Sequence, residues 1–118
     1  YVQRQVDILA IRTWLNGLDP NGWDGVEIDV RRTQDDELVW TPEDVQLPAS
    51  IVRMKPRYVE LARLDGSDLA VDLRWGSGML GTWGLTIGPE TMGAPPSRLR
   101  GDRWVEAGPG ILVWRRTE

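Results

Sequence analysis

The sequence predicts an α+β fold, in which an N-terminal helix packs on a mainly antiparallel β-sheet or β-sandwich of about six to seven strands. Three observations predict this fold. The first 18 residues carry apolar side chains at helical spacing, most of the chain after residue 25 alternates apolar and polar residues, and no helical stretch separates the later strands. A chain of 118 residues fits one domain, so residues 1–118 are assigned to a single unit.

The first element is a helix predicted over residues 2–17. Its apolar positions recur mostly at spacings of three and four, which is typical of a helix with one apolar side. They are Val2, Val6, Leu9, Ile11, Trp14, Leu15 and Leu18. Asn16-Gly17 provides a left-handed stop. No N-cap residue precedes Val2 and the first residue is Tyr1, so we expect the chain to be a piece of a longer protein.

The β-rich part is predicted over residues 26–116. It follows a double turn at residues 19–25 (DPNGWDG), where Asn-Gly and Asp-Gly pairs favour tight reversals of the chain. VEIDV at residues 26–30 alternates with the period of a strand, and LVW at residues 38–40 is a second, shorter strand.

The next segment is predicted to be a loop followed by a long interrupted strand. Residues 41–50 are rich in polar residues and proline, so we expect a loop that holds at most one helical turn after Thr41. Residues 51–64 are predicted to form one strand interrupted at Pro56, because proline lacks the N–H that a sheet ladder needs. A hairpin turn is predicted at residues 65–68.

The remaining chain is predicted to form a meander. LAVDLRW at residues 69–75 directs its apolar residues inward and Asp72 and Arg74 to water, and TWGLTIG at residues 82–88 continues that pattern. The inward positions are Leu69, Val71, Leu73, Trp75, Trp83, Leu85 and Ile87. Residues 88–103 form a long irregular loop, and residues 104–116 form a last hairpin.

GSGMLG at residues 76–81 has the spacing of the dinucleotide-binding fingerprint G-x-G-x-x-G. Such a turn has to lead into a helix, because the helix N-terminus holds the pyrophosphate. The residues after Gly81 alternate as a strand does, and too little chain remains for the further strands of that fold. We therefore predict a glycine-rich hairpin and no bound cofactor.

The composition excludes several kinds of catalysis. The chain has no His and no Cys, which rules out Ser-His-Asp and Cys-His nucleophiles and removes the usual zinc ligands. The single lysine, Lys55, has no serine in the S-x-x-K relation to it. We expect a protein that is not an enzyme, and chemistry by carboxylates alone is the alternative.

Charge and hydropathy restrict the partners. A formal net charge of −4 argues against a nucleic-acid partner, because proteins bind nucleic acids through basic surfaces. No stretch approaches the ~20 apolar residues of a membrane span, so we expect membrane association only through a missing upstream segment. Arginine occupies every basic position except Lys55, which suggests a GC-rich bacterial genome.

Two acidic stretches are candidates for cation binding. In DPNGWDG the oxygen-bearing residues resemble those of a calcium loop, but Trp23 stands where a ligand is needed. Asp35, Asp36 and Glu37 are contiguous in a polar connection. We expect solvated turns at both places and keep a divalent cation at Asp35, Asp36 and Glu37 as the alternative.

The seven tryptophans have to supply the aromatic volume of a chain without phenylalanine. Five of them are predicted to lie in the core: Trp14, Trp40, Trp75, Trp83 and Trp114. Arginines beside exposed tryptophans suit stacking on sugars or on a protein partner. The predicted ligand or partner surface consists of Trp23, Arg98, Arg100, Arg103 and Trp104.

These observations favour a non-catalytic binding or assembly module of a bacterial protein, with a protein partner or a neighbouring domain. Two alternatives remain open. The order of a helix and then a β domain is similar to that of the soluble part of type IV pilin-like proteins and minor pseudopilins, which implies an extracytoplasmic assembly domain without its apolar anchor helix. Exposed tryptophans are also typical of a carbohydrate-binding β-sandwich.

Overall fold

The computed structural model describes residues 2–64, 68–76, 81–91 and 103–116. Within them the chain forms three helices and seven strands. The helices are α1 (Val2–Asn16), α2 (Pro20–Trp23) and α3 (Ala49–Met54). The strands are β1 (Glu27–Arg32), β2 (Leu38–Thr41), β3 (Tyr58–Arg63), β4 (Leu69–Trp75), β5 (Thr82–Ile87), β6 (Arg103–Gly108) and β7 (Ile111–Arg116). None of these helices is long and apolar enough to cross a membrane.

All seven strands belong to one antiparallel sheet, in the order β2-β1-β3-β4-β5-β7-β6. The α+β prediction is confirmed, and the β part is a single sheet rather than a sandwich. β4 is the middle strand, and β2 and β6 are the outermost strands. Residues 65–67 of the turn predicted at 65–68 and residues 77–80 of the hairpin predicted at 76–81 lie outside the described residues. The strands that flank each of them pair antiparallel, as hairpin strands do.

The hydrophobic core lies between one face of this sheet and the helices. α1 contacts β4, β5 and α3, and α2 contacts β3. The buried apolar residues of the core are Ile11, Leu15, Ile28, Val30, Ile51, Val59, Leu61, Leu69, Val71, Leu73 and Ile87. The predicted alternation of β1 is confirmed, since Ile28 and Val30 are buried and the residues between and after them are exposed.

The apolar side of α1 is narrower than predicted. Ile11 and Leu15 are buried against the sheet, but Val6 and Leu9 are exposed on the outer side of the helix. At about 100° per residue, Leu9 points away from the direction of Ile11. Asp7 occupies the buried side instead, where it forms an ion pair with Arg53 of α3.

The segment predicted as a double turn at residues 19–25 contains the short helix α2, so that prediction is wrong. Asp19 caps the helix by accepting a hydrogen bond from the Asn21 N–H at 3.1 Å, and Pro20 occupies the first helical position. Both features favour a helix start. Trp23 then packs edge-to-face on Trp14, with ring centroids 5.9 Å apart.

The prediction of one strand over residues 51–64 is also wrong, because its first part is helix α3. The N–H groups of Ile51 and Val52 donate to the Pro48 carbonyl at 3.0 and 3.2 Å, which starts the helix. Lys55 ends it in the left-handed conformation, at φ 53°. A short apolar run beside proline fits either a strand or a buried helical turn, and here the core contact of Ile51 decides for the helix.

Three residues of the sheet differ from the prediction in their burial. Asp72, predicted to face water, is fully buried beneath the side chains of Arg74, Thr86 and Trp114 on that face. Trp83, predicted to lie in the core, is 51% exposed. Arg74, also predicted to face water, is only partly exposed.

Arg12 connects α1 to the ends of distant strands. Its guanidinium donates to the Gly88 carbonyl after β5 at 2.9 Å and to the Pro109 carbonyl in the turn between β6 and β7. Glu90 lies 3.6 Å from the same guanidinium. One side chain therefore joins the helix to two places on the sheet.

We expect Ile11→Ala to lower the free energy of unfolding by about 2–5 kcal/mol, because it removes a fully buried side chain between α1 and the sheet. Leu9→Ala, on the exposed side of the same helix, is the matched control and should change it by less than about 0.5 kcal/mol. Urea unfolding followed by tryptophan fluorescence measures both. Equal losses would contradict the observed orientation of α1.

Candidate functional site

The buried face of the sheet becomes an exposed apolar surface toward β6. One row of cross-strand neighbours runs from Leu73 on β4 through Leu85 on β5 and Val113 on β7 to Val105 on β6. Leu73 is fully buried and Leu85 partly buried, whereas Val113 is 45% and Val105 70% exposed. α1 packs on β4 and β5, and the exposure of this row rises beyond those strands.

Trp83 contributes the largest side chain to this surface. It lies on the same face of β5 as Leu85, and its indole stacks on Trp75 with centroids 4.8 Å apart and an interplanar angle of 16°. The Trp75 Nε1–H donates to the Met54 carbonyl at 3.0 Å, which anchors the stacked pair to α3. We call Trp83, Val113 and Val105 the apolar ledge.

Strand β6 forms the outer border of the ledge. Trp104, 37% exposed, and Val105 point to opposite faces of this strand, and both are accessible. Among the described residues, no strand pairs with the outer edge of β6. An exposed edge strand with apolar side chains is a template for pairing with another chain.

The ledge depends on a buried polar cluster on the opposite face of the sheet. Asp72, at the middle of β4, accepts hydrogen bonds from the Trp114 indole N–H of β7 and from the Thr86 hydroxyl of β5 at 3.0 Å, both on Oδ1. Its Oδ2 accepts a hydrogen bond from Arg74 Nε at 2.8 Å. One carboxylate therefore binds three neighbouring strands together.

Gly84 allows Trp114 to reach Asp72. The two residues lie opposite each other on β5 and β7, and a Cβ on Gly84 would come within 2.2 Å of Trp114 Cζ2 and 2.6 Å of the Leu73 carbonyl oxygen. The indole ring therefore lies flat across β5 toward β4. β5 lies between β4 and β7, and any side chain at position 84 of β5 would occupy the space that the Trp114 ring fills.

Arg74 completes the cluster. Its guanidinium donates to Glu60 Oε1 at 3.0 Å as well as to Asp72. It also lies over two aromatic rings, 5.0 Å from the Tyr58 centroid and 5.7 Å from that of Trp114. One cation thus joins two carboxylates and two aromatic rings, a network that stabilises buried charge through pairing.

Burial shifts the ionisation of two groups here. Burial raises the pKa of Asp72 to about 6, although Arg74, Trp114 and Thr86 each act to lower it. Burial, together with the carboxylate of Glu27, also raises the pKa of Tyr58, so that the phenol keeps its proton. At neutral pH the Asp72 carboxylate is ionised, and all three of its hydrogen-bond partners are donors.

The residues predicted as a ligand surface do not form one site. Trp23 packs with the core on the helix-bearing side of the sheet, beside β3, whereas Trp104 lies on β6 on the opposite face. Arg103 begins β6, opposite Arg115. Arg98 and Arg100 lie outside the described residues, as do residues 92–102 of the predicted loop.

The acidic stretch lies in the turn between β1 and β2. Asp36 adopts φ 64° and pairs with Arg32 at 3.1 Å, and the Glu37 N–H donates to the Thr33 hydroxyl at 3.1 Å. In the part of the chain that the structure describes, no three acidic side chains are grouped to hold a metal ion. Asp35 is an exposed turn residue.

A shallow depression of about 380 Å³ lies along β2, at the opposite end of the sheet from β6. Its lining residues are Arg31, Leu38, Val39, Trp40, Thr41 and Glu43. The Trp40 indole N–H donates to the Val45 carbonyl at 2.6 Å, so one wall of the depression is fixed.

Sequence reasoning missed the burial of Asp72, its hydrogen bond from Trp114 and the exposure of Trp83, although the predicted core position of Trp114 is confirmed. Asp72 alternates with apolar residues as a solvent-facing residue does, and Trp114 lies 42 positions away in the chain. The available signal was the small residue Gly84, which stands opposite a tryptophan once the strand order is known. That order is a long-range property that the local pattern does not contain.

Comparison with known proteins adds no family to this description. No protein-family model, no curated protein and no solved structure matches the chain. Function has therefore to be inferred from the chemistry and geometry of the surface, as it does for any fold that supports many activities.

We expect the stability of Asp72→Asn to depend on pH differently from that of the wild type. The pKa of Asp72 is about 6 in the folded protein and near 3.8 without burial, so its protonation stabilises the fold below pH 4 and that contribution is lost as the pH rises through 6. The full effect is on the order of 3 kcal/mol. Chemical unfolding between pH 4 and 7.5 should show the wild type losing stability relative to the variant.

The exposed residue Asp35 provides the control for this measurement. Asp35→Asn removes a carboxylate of the same type without removing a buried one. Its unfolding free energy should run parallel to that of the wild type across the range. A parallel curve for Asp72→Asn as well would show that Asp72 is not the group responsible.

Proposed function

We propose that this chain is a non-catalytic module that binds another protein, or assembles with further copies, through the apolar ledge and the edge strand β6. The observation that carries this proposal is the exposure gradient from Leu73 to Val105 along one row of the sheet. The row starts in the hydrophobic core and ends at an open edge. A contiguous apolar surface of this kind is characteristic of an interaction site.

The ledge combines two features that favour protein partners. Its side chains are already ordered, because Trp83 stacks on Trp75 and β7 is held by the bond from Trp114 to Asp72. Little conformational freedom is therefore lost on binding. The edge of β6 adds backbone donors and acceptors that an incoming strand can use, as in β-strand addition.

The surroundings of Asp72, the carboxyl group with a raised pKa, support a non-catalytic role. Asp72 is fully buried, and its oxygens accept hydrogen bonds from three side chains. A general acid or base has to reach a substrate proton. The geometry gives Asp72 a role in joining strands instead, and the chain has no His or Cys to replace it.

The pilin-like alternative is supported by the element order and by α1. Val6 and Leu9 are exposed apolar residues on the outer side of that helix, where another helix or domain could pack. In that case α1 would be the contact to a neighbouring subunit or to an upstream anchor segment. The ledge and the outer side of α1 are separate surfaces, so variants of each distinguish the two modes.

Position-specific photo-crosslinking tests the main proposal. A photoreactive residue at Val105 or Val113 of the parent protein, expressed in its own host, should give protein adducts. The same residue at Thr13, exposed on α1, should give none. With the photoreactive residue at Val105, Val113→Asp should abolish the adducts, because a charge at the centre of an apolar contact is strongly unfavourable when buried.

The proposal would be wrong if Val105 and Thr13 gave the same adducts, or if Val113→Asp left the adducts unchanged. A predominance of adducts at Thr13 would favour the pilin-like mode. Far-UV circular dichroism of each variant shows whether the sheet is intact. The exposure of both valines makes a change of fold unexpected.

A carbohydrate partner is the second candidate, because the Trp83 indole is half-exposed and held on Trp75 as a flat platform. If sugars stack there, soluble oligosaccharides should quench or shift the tryptophan fluorescence in a saturable way. Trp83→Ala should remove the response, and Trp104→Ala, on the other face of β6, should retain it. An absent response across neutral and acidic oligosaccharides would eliminate this candidate.

A further inference from the structure

We propose that the outer edge of β6 in one copy of this chain pairs with the outer edge of β2 in a second copy, joining copies head to tail through a continuous sheet. This inference rests on the proposed function, since it identifies the partner of β6. β2 and β6 are the two outermost strands of the same sheet, and each carries accessible apolar residues. Val39 on β2 is 48% exposed, against 70% for Val105 on β6.

The side chains of the two edges match face by face. Val39 lies on the face of Asp72, because it stands opposite Arg31, while Trp40 lies on the helix-bearing face opposite Val30. On β6, Trp104 lies on the face of Asp72 and Val105 on the helix-bearing face. Setting Trp104 beside Val39 therefore sets Val105 beside Trp40, with both apolar contacts in register.

The segments around the two edges carry opposite net charge. Residues 33–44, which contain β2, include five acidic residues and no basic one. Residues 103–116, which form β6 and β7, include three arginines and one glutamate, and β6 itself carries one of each. Two copies that met through their β2 edges would bring the acidic segments together, which disfavours pairing of β2 with β2.

The strand order favours parallel pairing. Every neighbouring pair of strands in the sheet is antiparallel, so the two outermost strands of the seven, β2 and β6, run in the same direction. A second copy that continues the sheet with the same face on the same side therefore sets its β2 parallel to β6.

The depression along β2 borders the edge that receives β6 in this arrangement, since residues from both faces of β2 line it. They include Val39 and Trp40, which the register places beside Trp104 and Val105 respectively. Arg31 on its wall can interact with an indole face, as cations commonly do with tryptophan. The contact would therefore bury Trp104, which is accessible in the single chain.

Edge-blocking variants test this arrangement. Val39→Lys blocks the β2 edge and Val105→Lys the β6 edge, because a lysine on an edge strand opposes strand addition. Sedimentation velocity of the wild type should show an average mass that rises with concentration beyond the dimer, and less so in high salt. Each variant alone should be monomeric, whereas an equal mixture should form dimers and stop there.

The mixture is informative because each variant keeps one intact edge of the opposite kind. Val6→Lys, which changes an exposed valine on α1, is the control and should assemble as the wild type does.

Three results would overturn the inference. A dimer of Val39→Lys alone would show pairing of β6 with β6, and a dimer of Val105→Lys alone would show pairing of β2 with β2. A wild type that stays monomeric at every concentration would exclude self-assembly. If position 105 still crosslinks to a different protein in that case, the proposed function stands without this inference, and if it does not, both fail.

Discussion

The buried carboxylate of Asp72 is the constraint on which the arrangement of the later strands depends. An ionised group in a protein interior is costly unless it is paired and fully hydrogen-bonded. Donors from β4, β5 and β7 offset part of that cost for Asp72, so these strands have to keep their register. Trp114 in turn needs an acceptor for its indole N–H, and Gly84 leaves the path to it open. Among the strands that the structure describes, β7 is the sheet neighbour of β6, so the position of β6 follows from that of β7.

The sheet is wider than the layer of helices that covers it. α1 contacts β4 and β5, α2 contacts β3, and the buried core extends from β1 to β5. On the opposite face of the sheet, the polar cluster around Asp72 joins β4 to β5 and β7 by hydrogen bonds. β7 can therefore be well anchored although Val113, on its other side, is exposed. Because β7 is held in place from one face of the sheet, the apolar side chains on its other face can be ordered and still exposed to solvent.

The sequence contains the local features of this fold more clearly than the long-range ones. The helix at the N-terminus, the alternation of β1 and the last hairpin follow from the periods of three to four residues and of two. The segment of α3 was predicted to be a strand, because a short apolar run next to a proline fits the pattern of a strand as well as that of a buried helical turn. The burial of Asp72 and the exposure of Trp83 depend on strand order and on where the helices end. A predicted surface at Trp23 and Trp104 joined residues that the fold places on opposite faces.

Arg12 gives the molecule a mechanical property that no single strand has. Its guanidinium holds the backbone both after β5 and in the turn between β6 and β7, and it does so from the C-terminal half of α1. Tension applied along that helix would therefore reach the hairpin that ends the sheet through this side chain as well as through the core. A pull on the helix would load the turn next to the edge strand, and the arginine would share in bearing the force.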